Sequence, residues 1–174
     1  MPLVSADGAA AANTALNTQI IKQQNGEAIK TPTDMAKDFA AAYHEYAKSA
    51  TLLGADMSNG GTVAILESAF ISDNTPTMVA KIAQGICDYW STFITVGIPA
   101  HGGTTVVSVV VTGAAVLASM TAAVQALITN VATEDGWLGF YDATEAVVKT
   151  IPCIITEMIP GTPPVAVPFP ETIT

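Results

Sequence analysis

The chain contains no arginine, and its six lysines stand against fifteen acidic residues, which gives a formal net charge of −9. A protein that binds DNA or RNA needs a basic surface for the phosphates, and guanidinium groups are the usual bidentate phosphate ligands. We therefore expect no contact with nucleic acid. Charged residues make up only 12% of the chain, about half of the usual share. Because a soluble monomer needs more charge than this on its surface, neighbouring subunits or lipid are expected to cover part of it.

Cysteine and aromatic residues are scarce as well. The two cysteines, Cys87 and Cys153, are too few for the disulfide framework of a small secreted domain. Both lie in apolar segments, so we interpret each as a small buried hydrophobe, with a disulfide as the alternative.

The N-terminus lacks the basic region and apolar core of a secretory signal, so we expect an intracellular protein. At 174 residues the chain fits one domain.

Apolar residues recur at three- and four-residue steps over most of the chain, which predicts a mainly α-helical fold. We expect a single helical-bundle-like domain over residues 31–159, with extended N- and C-terminal arms. Thr31-Pro32-Thr33-Asp34 has the cap, proline and acidic residue of a helix start. Thr75-Pro76-Thr77 repeats this signal, which indicates either two similar caps or a worn duplication. Further helices are predicted from Val63 and from Glu134.

The uncharged middle of the chain has two interpretations. The β-branched segment 105–111 favours a strand, whereas Gly113 to Val131 has helical spacing. We expect one long helix from Thr104, with a strand at 105–111 as the alternative. The run is long enough to cross a bilayer. Its Ser, Gln, Asn and Thr residues and the lack of flanking Lys or Arg argue against this. A helical membrane protein spanning near residues 104–131 is the alternative function.

The two ends of the chain are predicted to be arms. Residues 1–30 contain few large apolar residues, which indicates either a short helix from Asn13 to Gln24 or an arm ordered by a neighbour. Residues 160–174 are rich in proline, so we expect them to be extended and to lie along a partner. The residues predicted to contact that partner from this arm are Pro163, Pro164, Pro168 and Phe169.

The bulkiest aromatic group of the chain is Tyr89, Trp90 and Phe93. These residues fit either core packing or an interface hot spot, because Trp and Tyr dominate such spots. We predict that they contribute to subunit contacts as well as to the core.

Few residues in the chain are suited to catalysis. The sequence contains neither a phosphate-binding P-loop nor a nucleophile elbow. His44 is expected on a solvated helix face. His101, in the loop Pro99-Ala100-His101-Gly102-Gly103, is the one position where we keep a catalytic or metal-binding role open. We therefore predict no enzyme activity, no cofactor, no metal and no small-molecule substrate.

The stretch Asp88-Tyr89-Trp90, the loop Gly97-Ile98-Pro99-Ala100-His101-Gly102-Gly103 and the uncharged run after it resemble small virion structural proteins of tailed bacteriophages. The low charge, the missing arginine and the Ala/Thr/Val-rich middle agree with this. The resemblance covers residues 75–135 and carries no site residues. It implies a repeated component of a capsid, neck, tail or baseplate. Such a protein binds copies of itself and other structural subunits, and it is assembled into the virion in the host cytoplasm.

Overall fold

The computed structural model describes residues 5–52, 55–56, 62–71, 76–92, 105–159 and 165–174. These residues form six α-helices, five strands and one 3₁₀ turn: α1 (Ser5–Gln24), α2 (Pro32–Ala47), β1 (Thr51–Leu52), β2 (Ala55–Asp56), α3 (Val63–Phe70), α4 (Met78–Ser91), β3 (Thr105–Val111), the 3₁₀ turn (Gly113–Val116), α5 (Leu117–Asn130), α6 (Glu134–Val148), β4 (Pro152–Ile159) and β5 (Val165–Thr172). The predicted mainly α fold is confirmed.

Helices α2 and α6 begin where the local sequence predicts. Thr31 accepts a hydrogen bond from the Asp34 N–H at 3.2 Å, and its hydroxyl donates to the Asp34 carboxylate at 2.7 Å. Pro32, which has no N–H to satisfy, is the first residue of α2. Thr133 caps α6 in the same way by accepting from the Gly136 N–H at 3.0 Å. These starts could be predicted because each cap is completed within four residues of sequence.

Helix α1 is longer than predicted and belongs to the helical body. Residues 5–24 form one helix that packs against α2 and α6. Its contact face is made of small residues, of which Ala9 and Ala12 are buried. Gly8 lies directly against the ring of Tyr141, where a side chain would collide. Since alanine carries little weight in an apolar pattern, the sequence alone does not reveal that this segment is packed.

The core is an aromatic cluster between α2, α4 and α6. The ring centroid of Tyr43 lies 5.9 Å from that of Tyr89 and 6.0 Å from that of Tyr141. The Trp90 indole N–H donates to the Tyr43 hydroxyl at 2.9 Å. Both Tyr89 and Trp90 are 0% exposed within this chain. They are core residues of this chain, whereas their contact with another subunit stays a prediction, and Phe93 lies outside the described residues.

A three-stranded antiparallel sheet of order β3-β4-β5 replaces two predicted elements. Residues 105–111 form a strand and not the start of a long helix, so the alternative interpretation is the right one. Six of its seven residues are β-branched, and such side chains lose rotamer freedom in a helix. Residues 152–159, predicted as part of the helical domain, are the central strand. In the C-terminal segment, residues 165–172 form the strand β5, which pairs with β4 of the same chain.

Candidate assembly surface

One face of the sheet is exposed and uncharged. Ile154 of β4 lies in register with Val110 of β3 and Pro170 of β5, and Ile154 and Val110 are 40% and 52% exposed. On the opposite face of β4, Cys153, Ile155 and Glu157 are each 0% exposed, so they belong to the core side. We call the exposed side the outer sheet face; its described side chains are Val110, Pro152, Ile154, Thr156, Met158, Pro168 and Pro170.

The direction of the backbone groups in the sheet follows from one hydrogen bond. The Thr112 N–H donates to the Pro152 carbonyl at 2.9 Å, so the backbone of Pro152 is directed towards β3. Because this direction alternates along a strand, the backbone of Ile154 is also directed towards β3, and that of Ile155 towards β5. Ile155 is in register with Phe169, so the backbone N–H and C=O of Phe169 are directed towards β4.

The outer edge of β5 is closed to another strand. Pro168 and Pro170 flank Phe169, so their backbones are directed away from β4, and neither has an N–H to donate. Beyond the strand, the Thr174 N–H donates to the Thr51 carbonyl at 2.8 Å, and the Thr51 N–H donates to the Thr174 carbonyl at 2.7 Å. The two prolines and the pairing with Thr51 thus block this edge.

Among the residues that the structure describes, none protects the outer edge of β3 in this way. Val110 is in register with Ile154 and directed at β4, so the backbones of Val109 and Val111 are directed away from it. Across the described ranges of the chain, no strand lies beyond β3. The strand, with the sequence TVVSVVV, contains neither a charge nor a proline, the two features by which proteins commonly block an edge.

Charge is concentrated on the helices and is missing from this surface. Ion pairs join Lys30 to Asp38 at 2.6 Å and Lys149 to Glu145 at 2.6 Å. Neither β3 nor α5 contains a charged residue, and the acidic residue of β4, Glu157, is buried. The half-buried Glu171 of β5 is in register with core-side Cys153. The outer sheet face therefore carries no charged group among its described side chains, although Thr156 contributes a hydroxyl.

The residues of the C-terminal arm that were predicted as contact sites differ in their exposure. Pro168 is exposed on the outer sheet face, whereas Phe169 is half-buried and in register with core-side Ile155. Pro163 and Pro164 lie outside the described residues. Val110 and Ile154, two exposed large apolar residues of the sheet, were not predicted. Exposed and buried residues alternate along β4, and this alternation is the signal for the exposed face. The signal is missed when the segment is interpreted as a helix.

Few described side chains are suited to catalysis. No group of three or more His, Cys, Asp or Glu residues is placed to hold a metal among the described residues. Both cysteines are free and buried, and burial, with Asp88 and Glu171 nearby, raises the pKa of Cys87 and of Cys153 to about 11. These thiols are therefore protonated and inert near neutral pH. The loop containing His101 lies outside the described residues.

His44 takes part in a side-chain hydrogen bond with the core. Its Nδ1 lies 2.7 Å from the hydroxyl of Tyr89. Burial lowers the pKa of His44 below its usual 6.5, the charge of Lys48 lowers it further, and Glu45 raises it. A neutral imidazole is therefore favoured, and Nδ1 can then accept the Tyr89 proton. This pair ties α2 to α4 and offers no nucleophile.

An apolar cleft of about 350 Å³ lies between the helices. The one side-chain N–H in its wall, the Trp137 indole, donates to the Val131 carbonyl at 2.9 Å. No lining side chain is titratable, so the cleft provides no group for acid–base or nucleophilic chemistry. Its principal walls are Leu16, Phe39, Phe70, Ile82, Leu127 and Trp137.

One helical stretch among the described residues, Gly113–Asn130, is long and apolar enough to cross a membrane. A third of it (33%) is buried inside the protein, where α5 packs against α4 and α6. Core helices of soluble proteins also meet these criteria, so length and composition carry little weight. The span considered near residues 104–131 is not one continuous helix, because residues 105–111 form β3.

Comparison with known proteins adds no further constraint. No protein-family model matches the chain. No curated protein and no solved structure matches it either.

Proposed function

We propose that this protein is a structural component of a virion, a subunit of the capsid, neck, tail or baseplate that acts through self-assembly and subunit contacts. The observation that carries the proposal is the outer sheet face, which exposes Val110 and Ile154 without a charged residue among its side chains. A contiguous exposed apolar surface of this kind is typical of protein–protein contact. The low charge of the whole chain and the resemblance to phage structural proteins point in the same direction.

A deletion of the C-terminal segment is not a clean test of this function. From the sequence, truncation after Ile159 is expected to leave a folded chain that assembles poorly. However, β5 pairs with β4 over eight register positions, and Ile173 beyond it is 1% exposed. Truncation removes both, so it uncovers a strand edge and the core. Loss of assembly in that variant would only report loss of the fold.

Point substitutions on exposed residues provide the better experiment. The mass of the purified full chain is measured by light scattering in detergent-free buffer, and the particles are viewed by electron microscopy. We expect multimers for the wild type and a smaller mass for Ile154→Lys. Ile21→Lys is the matched control, because Ile21 is 56% exposed on α1, away from the sheet; it should assemble normally.

Two results would overturn the proposal. The first is a wild-type chain that stays monomeric at all concentrations tested. The second is a chain that dissolves only in detergent, which is the behaviour of the membrane protein considered as the alternative. Genes for other virion proteins beside the gene for this chain would support the virion assignment.

A further inference from the structure

We propose that β3 is the edge through which two copies of this chain join, by antiparallel pairing of β3 with β3 across a two-fold axis. The two three-stranded sheets would then form one six-stranded sheet. The inference rests on the proposed function in one respect, namely that the chain assembles with itself. It adds which element makes the contact and which partner that element takes.

The backbone of β3 provides the first argument. The N–H and C=O groups of Val109 and Val111 are directed away from β4. An extended strand is the partner that satisfies a row of such groups. Across the described residues the other edge is blocked, because Pro168 and Pro170 remove two donors and Thr174 is paired with Thr51.

The distribution of charge favours a second copy as the partner. Two chains of net charge −9 repel each other. The repulsion is smallest where the contact itself has no charge, and β3 has none. An acidic or basic partner segment would gain nothing from this strand in electrostatic terms. Identical strands that pair antiparallel satisfy two-fold symmetry, since the same surface then serves both copies.

The difference between the two edges also explains why such pairing stops at two. A sheet with two open edges can add copies without limit and form fibres. Here the prolines of β5 close the far edge of each copy, so pairing through β3 ends with a dimer. The exposed Val110 side chains of the two copies would then lie on one continuous apolar face that extends across the axis.

The test compares substitutions that differ in what they block. Val109→Pro removes a donor directed away from β4, as Pro168 and Pro170 do in β5. Val110→Lys places a charge on an exposed position of the edge strand, and Val110→Thr is its uncharged, β-branched control. Masses are measured by light scattering, and circular dichroism reports whether each variant is folded. We expect Val109→Pro and Val110→Lys to lower the mass about two-fold or more, and Val110→Thr to leave it unchanged.

Amide hydrogen exchange provides a direct second reading on the wild type. At assembling concentrations the N–H groups of Val109 and Val111 should exchange slowly, and dilution to the monomer should make them fast. If Val109→Pro does not fold, the exchange of the Val109 and Val111 amides in the wild type decides between the two contacts, because Val110→Lys also places its charge on the outer sheet face.

Each outcome bears on one proposal or on both. Full assembly of a folded Val110→Lys variant, with fast exchange at Val109 and Val111, would overturn the β3 inference while the proposed self-assembly stands. A monomeric wild type would overturn both. If Ile154→Lys loses assembly while folded Val109→Pro and Val110→Lys variants keep it, the contact lies on the outer sheet face and the edge pairing is refuted.

Discussion

The contact between α3 and α4 depends on the absence of one methyl group, and adding it should destabilise the fold. Gly85 of α4 is buried, and a Cβ at this position would collide with the Cβ of Ala69 in α3. The Ala69 Cα would be only 3.5 Å away. A Cβ is held rigidly by its backbone and cannot rotate aside, so Gly85→Ala forces the two helices apart.

Two opposing terms set the magnitude of this effect. Alanine is favoured over glycine inside a helix by about 1 kcal/mol. Overpacking a core costs about 1–3 kcal/mol, and the rigid Ala69 partner places this case near the upper end. We therefore expect Gly85→Ala to lower the free energy of unfolding by about 2 kcal/mol.

A double-mutant cycle and an exposed control test the reasoning. Ala69→Gly in the Gly85→Ala background removes the collision and should restore stability to near the wild-type value, a favourable coupling of about 2–3 kcal/mol. Gly139→Ala is the control: Gly139 lies exposed in α6, a Cβ there would have no neighbour within 4 Å, and stability should rise by about 1 kcal/mol. Free energies are measured by urea denaturation. If Gly85→Ala stabilises the protein as Gly139→Ala does, the helices are not packed as described.

Three further predictions concern buried groups. Tyr43→Phe removes the acceptor of the Trp90 indole N–H and should lower the free energy of unfolding, measured by urea denaturation, by about 1–3 kcal/mol. Tyr46→Phe should be neutral or stabilising, because no described residue bonds the Tyr46 hydroxyl. Equal losses of stability in the two variants would contradict this. Because burial lowers the pKa of His44 below 6.5 in the folded protein, the unfolded chain binds that proton more tightly, so the thermal midpoint should fall as the pH drops through about 6.5. His44→Gln should weaken this pH dependence, and an unchanged slope would refute it. The two cysteine thiols, with their pKa raised to about 11, should react with a thiol reagent at about pH 8 only after unfolding; rapid labelling of the native chain would show that they are accessible.

Features that depend on a few adjacent residues could be predicted from the sequence. The starts of α2 and α6 are examples, since Thr31 and Thr133 complete their caps with groups three residues away. The mainly α character followed from apolar spacing within single helices. The interpretation of both cysteines as buried hydrophobes is consistent with their burial as free thiols.

The candidate surface could not be predicted, because it depends on residues far apart in the chain. Val110 and Ile154 become neighbours only when β3 pairs with β4, which follows much later in the sequence. Nor could the sequence distinguish Trp90 in a core from Trp90 at an interface, since apolar spacing is the same in both cases and only the covering helices differ.

By itself, the amino-acid sequence determined the scarcity of charge, the lack of a basic surface and most helix starts, because these are properties of composition and of short segments. The tertiary structure decided that residues 105–111 and 152–159 are strands, since a strand is stable only with a partner. It also decided which edge of the sheet is blocked. The prolines of β5 act on that edge because the register with β4 directs their backbones outward, and no property of a single strand contains that information.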